Sequence, residues 1–107
     1  MEQTCTLIYI HIKEKINEYQ KLINLSYKQK ENQKKYKHLF LLKIHDIIEK
    51  HKIPCRCHIC LAILDIRYIL MPYIYMNPDI DKISDKVTDV YNTITCIFYK
   101  IHNQNNS

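Results

Sequence analysis

Between His51 and Cys60 the chain reads His-Lys-Ile-Pro-Cys-Arg-Cys-His-Ile-Cys, three thiols and two imidazoles within ten residues. Thiolate sulfur and imidazole nitrogen are the ligands zinc prefers in closed structural sites. His51, Cys55, Cys57, His58 and Cys60 are therefore the candidate metal ligands, with zinc the expected cofactor. An apolar run follows at once, so the last of these cysteines open a helix, and a helix N-terminus favours the thiolate form. Three chemistries stay open: a zinc clasp, a redox pair, and thiols that only pack. A closed zinc site usually joins ligands from separate stretches of chain, and the distant candidates are Cys96 and His102.

Cys57-His58-Ile59-Cys60-Leu61 resembles the opening C-x-I-C-L of a RING finger. A RING needs about six more cysteine and histidine ligands. After Cys60 only Cys96 and His102 remain, which excludes a RING ligase. A second stretch is similar to the Erv-type sulfhydryl oxidases, small helical flavoproteins with Pro-Cys-x-x-Cys opening one helix and His-Asn-x-Val-Asn ending the next. Pro54-Cys55 with Cys57 and Cys60 stands in the first place, and His102-Asn103-Gln104-Asn105-Asn106 echoes the second. The resemblance implies an FAD-dependent thiol oxidoreductase. The cysteine spacing differs, there is no tryptophan, and the family's glycine- and tryptophan-bearing first-helix motif is absent.

A different chemistry is offered by Lys28, Lys30, Lys34, Lys35 and Lys37, with Tyr27 and Tyr36 beside them. Clustered cations can track a phosphate backbone while aromatic rings stack on bases, so these lysines are the candidate nucleic-acid-binding residues. The competing reading is a solvated, lysine-rich bend. Nucleic-acid surfaces exploit arginine, and this chain has only Arg56 and Arg67. His11, His38 and His45 are isolated and read as helix-surface or satisfied core residues. Asp65 and Arg67 lie two apart on a helix, point to different faces, and cannot pair with each other. No serine sits in a nucleophile elbow, and no complete catalytic set is present.

Composition narrows the classes further. The chain has no glycine among its 107 residues. Phosphate-cradling loops and dinucleotide fingerprints need glycine for close backbone approach, and tight hairpins need it for positive φ. Nucleotide chemistry of the P-loop or Rossmann kind is thereby disfavoured, as is a sheet-rich fold. Isoleucine, lysine, tyrosine and asparagine abound against a single alanine, Ala62, a pattern expected of a strongly AT-rich genome such as that of a virus or parasite. Eleven lysines meet six acids up to Ile53, while the remainder is neutral, so the net charge of +5 belongs to the N-terminal half. Five cysteines is an odd number and the N-terminus lacks a secretory pattern, so an intracellular, reducing compartment (cytoplasm or nucleus, of a host cell if viral) is expected. Ile59 to Met76 is strongly apolar, but Asp65, Arg67 and Pro72 interrupt it, so a buried helix and no membrane partner are expected.

The elements that must position these residues are helices. Tyr9, Ile12, Ile16, Tyr19 and Ile23 line one stripe, and a bend follows between Asn24 and Glu31. Tyr36, Phe40, Leu41, Ile44, Ile47 and Ile48 predict a second helix from Gln33 to His51, ended by Pro54. Leu61 to Leu70 is apolar nearly all round, as in a central helix stopping at Pro72, with Tyr73 to Met76 as connector. Asn77 as cap, Pro78 at the first position, and Asp79 and Asp81 near the positive dipole end predict the start of the last helix. Its seam is Ile80, Ile83, Val87, Val90, Ile94, Ile97 and Ile101. Such a stripe wants a partner, within a bundle or on another chain. The tail from Asn103 to Ser107 is expected to fray.

The reading is one domain over 1–107, all-α, a bundle of about four helices with a cysteine-rich turn before the third. Its expected function is that of a non-enzymatic interaction or regulatory module. The expected partner is a protein or a second copy meeting the C-terminal helix, with nucleic acid the alternative.

Overall fold

The computed structural model describes residues 2–53, 56–76, 83 and 85–106, with side chains from 6 to 103 within those ranges. Four helices make up the fold: α1 (Glu2–Leu25), α2 (Lys30–Lys50), α3 (His58–Met76) and α4 (Lys86–Asn106). α1 packs chiefly on α2 and α3 chiefly on α4, with α2 touching both members of the second pair. The result is the expected small all-α bundle, two helical hairpins pressed together.

α1 buries Ile8, Ile12, Ile16, Tyr19 and Ile23, the predicted stripe with Ile8 in the place of the half-buried Tyr9. The bend after it is shorter than expected. Residues 26–29 turn the chain, with Gln29 N–H donating to the Ser26 carbonyl at 2.8 Å. No glycine is needed, since no described residue has positive φ. The Ile23 carbonyl accepts from Ser26 N–H at 3.1 Å and also from the Gln33 side-chain amide at 3.2 Å. α2 then starts at Lys30, before the predicted Gln33, and buries Phe40, Leu41, Ile44 and Ile48.

α3 departs most from expectation. It runs through Pro72 to Met76, so Tyr73 to Met76 are helix and not connector. Proline removes one backbone hydrogen bond, to the Tyr68 carbonyl, but both residues lie on the solvent side where water can take that group. Past the proline, Tyr73 is 5% exposed and holds the last turn to the core. Its hydroxyl lies 2.6 Å from His38 Nδ1 on α2. Nor is α3 buried all round. Cys60, Ile63, Ile66, Leu70 and Tyr73 face inward, while Leu61, Leu64, Tyr68, Tyr75 and Met76 are exposed.

α4 opens at Lys86, with Asp85 in a turn before it and Asp89 in the first turn. The predicted start at Asn77 and Pro78, with Asp79, Ile80 and Asp81, lies outside the described residues. The buried face is Val87, Tyr91, Ile94, Phe98 and Ile101. Val87, Ile94 and Ile101 belong to the predicted seam, but between them the aromatics go inward, and Val90, Ile97 and Ile83 are only partly buried against the core. Ring contacts explain the shift: Tyr91 meets Phe40 edge-on at 5.3 Å and Phe98 stacks on Tyr9 at 4.9 Å. The seam thus finds its partner inside the chain.

Two outcomes follow from this packing. Val87→Asp places a carboxylate at a fully buried site and should cost at least about 3 kcal/mol, whereas Val90→Asp, on the rim, should cost far less. Urea unfolding of the two variants measures the difference, and equal losses would place both residues in the core. His38 is 1% exposed and its Nε2 has no hydrogen-bond partner; burial holds its pKa below the ordinary 6.5. A depressed folded-state pKa means that the unfolded chain takes the proton first. Stability is therefore full above about pH 6.5 and falls as pH drops below it. Melting temperatures at about pH 7.5 and about pH 5.5 should show that loss, and His38→Asn should flatten it.

Candidate functional site

The cysteine turn is built by the end of one helix and the beginning of the next. His51 is the C-cap of α2, extended at φ −117° and ψ 134°, with its N–H on the Ile48 carbonyl at 3.4 Å. Its ring turns toward α1 and stacks on His11 at 6.2 Å. Cys55 lies outside the described residues, and Arg56 is exposed. Cys57 stands just before α3 and acts as its cap: its carbonyl accepts from Leu61 N–H at 2.9 Å, and its Sγ accepts from Cys60 N–H at 3.5 Å. Cys60 is wholly buried one turn further on, and His58 is exposed between them.

Of the five candidate ligands, the structure joins Cys57 with Cys60 by this contact. Among the described residues no group of three histidine, cysteine or acidic side chains lies close enough to hold a metal ion. The distant candidates sit elsewhere. Cys96 is exposed on α4, and His102 Nδ1 is 2.8 Å from the Tyr9 hydroxyl. What the turn offers chemically is a half-exposed sulfur at a helix N-terminus, where thiolate is favoured, above a sulfur sealed in the core.

The lysine bend is partly spent on internal ties. Lys34 Nζ pairs with Asp85 at 2.5 Å, and the contact holds the lysine pKa up and the aspartate pKa down. Lys37 lies 5.5 Å from the Tyr91 ring centroid and 3.5 Å from the Thr88 hydroxyl. Both lysines tie the start of α2 to the start of α4. Tyr36, half-buried, packs against the core, which removes one of the two rings proposed for base stacking. Lys28, Lys30 and Lys35 remain exposed.

The larger unassigned surface is the outer side of α3. Leu61, Leu64, Tyr68, Pro72 and Tyr75 recur every three or four residues on its exposed face, with Tyr68 81% and Tyr75 76% accessible. Beside its first turns lies a cleft of about 540 Å³, floored by Ile48, Ile53 and Leu64 and rimmed by Lys52, Arg56, Arg67, His51 and Glu49. Arg67 Nε lies 3.2 Å from Glu49 Oε1, close enough to attract but not aligned as a hydrogen bond. A second, more apolar groove of about 390 Å³ continues along α3 between Leu64, Asp65, Arg67, Tyr68 and Met71. Sequence reasoning missed this pair of cavities. Lys52 and Arg56 stand in the cysteine turn itself, but Arg67 lies on α3, and the packing of α2 on α3 gathers the three cations and Glu49 around one cleft.

No protein-family model, curated protein or solved structure matches the chain.

The burial difference between the cysteines has a direct readout. Alkylation of the native protein by iodoacetamide should modify Cys57 and Cys96 well before Cys60, which should react only on unfolding. Peptide mass mapping over a time course checks the order, and early labelling of Cys60 would contradict its burial.

Proposed function

We propose that this protein is a non-enzymatic interaction module whose contact surface is the outer face of α3. The observation that carries the reading is a helix apolar on nearly every face of which the bundle covers only one. Contiguous exposed apolar surface is costly to keep in water, and where it persists beside a charged rim it marks a place of contact. The seam of α4 offers less, because Val87, Ile94 and Ile101 are spent on the core. The cysteine turn heads α3 and fixes its first turn, so it serves the contact face by positioning it.

A photo-crosslinking residue at Tyr68 tests this in cell extract, with the same residue at Lys21, exposed on α1, as control. Adducts at position 68 and none at 21 are expected. Equal yields at both positions would refute the assignment.

A second reading attaches to Cys57 and Cys60, favoured by the hydrogen bond from Cys60 N–H to Cys57 Sγ. In thiol–disulfide exchange, Cys57 thiolate attacks a partner disulfide and releases one partner thiolate. Cys60, as thiolate, then attacks the mixed disulfide, leaving a Cys57–Cys60 disulfide and a fully reduced partner. A zinc clasp on the same sulfurs needs two further ligands, Cys55 with His51 or His58, and would make metal binding part of folding. A chelator melt separates the two. A lowered melting temperature, reproduced by Cys60→Ser, supports the clasp. An unchanged melt, with Cys57 labelling only after reduction, supports the redox pair.

A further inference from the structure

The cleft at the head of α3 and the groove along it share Leu64 and Arg67, so they form one continuous depression with a cationic end and an apolar end. At the cationic end, Glu49 is the one carboxylate among the described lining residues and it faces Arg67, so among those residues Lys52 and Arg56 have no compensating carboxylate. A ligand that satisfies both ends needs an anionic head joined to an apolar body.

We infer that the outer face of α3 seats on an anionic lipid surface. Lys52, Arg56 and Arg67 hold the headgroup anion, and Leu64, Tyr68 and Met71 lie among the first methylenes of the chains. The inference rests on the reading of that face as the contact surface and names what it meets. α3 is long and apolar enough to cross a membrane, but its inner side is the bundle core, so the helix lies along the interface and does not traverse it. Tyr68 and Tyr75 carry the amphipathic rings that settle at headgroup depth. Asp65 lines the same groove as Arg67 and sets the limit of immersion, because a carboxylate carried into hydrocarbon is expensive. The groove is open and lies along the helix, a shape suited to acyl chains that have no fixed form of their own.

Co-sedimentation of the full chain with phosphatidylcholine vesicles, with and without phosphatidylserine, tests the proposal. The expected result is pelleting with the anionic vesicles only, weakened by added salt. Lys52→Glu with Arg56→Glu should lower that binding at least about tenfold, since each basic residue near such a surface contributes about 1 kcal/mol. Glutamine at Lys28, Lys30 and Lys35 should retain most of it, and Asp65→Asn should strengthen it. Both charge variants alter exposed residues and should fold, which circular dichroism checks. Equal binding to neutral vesicles, equal losses from the cleft and bend variants, or weaker binding by Asp65→Asn would overturn the assignment. So would inorganic phosphate that occupies the cleft without any pelleting, which would mark a site for a soluble anion. Absence of vesicle binding alongside protein adducts at Tyr68 would refute the lipid and leave the contact surface standing. Absence of both would refute the two together.

Discussion

Where α2 crosses α3, the His38 imidazole and the Tyr73 hydroxyl meet at 2.6 Å inside the core, with their rings edge-on at 5.7 Å. A hydrogen bond of this kind contributes about 1 kcal/mol net, but leaving either group unpaired in the interior costs about 1–3 kcal/mol. The asymmetry makes it a constraint on geometry more than a source of stability. Burial pushes the Tyr73 pKa up to about 12 and keeps His38 below its ordinary value, so both groups are neutral and neither tolerates a charge. With Tyr73 fixed inward, the rotation of α3 about its own axis is fixed as well. Ile66 and Leu70 must then face the core, and Tyr68 and Tyr75 must face out. The surface assigned to contact is set by a polar pair on the opposite side of the helix.

The same constraint explains which parts of the fold were legible. α1 and α2 alternate apolar and polar residues at helical spacing, so the phase of each stripe is written in the chain, and Ile12, Ile16, Phe40 and Ile44 are buried where expected. α3 carries no such phase. Apolar on nearly every side, its sequence predicts burial without saying which side is buried, and Pro72 reads as a stop because nothing local reveals that Tyr73 has a partner on α2. α4 presents two seams of equal spacing, one through Val90 and Ile97 and one through Tyr91 and Phe98. Aromatic rings bury more surface and find Phe40 and Tyr9 to pack against, so the second seam wins.

The candidate sites divide along the same line. The cysteine turn is a local cluster, visible as a run of residues, and its capping contact between Cys57 and Cys60 needs only one helical turn to form. The distant ligands that the sequence offered are not brought to the turn: Cys96 and His102 share α4 yet face solvent and Tyr9 respectively. The lysine bend looked like a uniform cationic patch. Lys34 and Lys37 proved to be ties to Asp85, Thr88 and Tyr91, and no sequence pattern marks which lysine of a run will fold back on its own chain.

Arg67 shows how one residue can couple fold and surface. It cannot pair with Asp65, two positions away, and needs a partner of its own wherever its guanidinium is buried. Glu49, in the last turn of α2, supplies it at 3.2 Å. Glu49 also lies 3.9 Å from His45, so one carboxylate on α2 faces two basic side chains. The guanidinium is thereby held against the bundle at Nε while the side chain stays 41% exposed and lines both cavities. An arginine anchored at one edge keeps its remaining donors in a fixed direction, which lowers the entropy lost when an anion arrives. The cost is a buried Nε without a well-aligned acceptor. On the proposed lipid contact, this anchored guanidinium stands at the junction of the cationic cleft and the apolar groove.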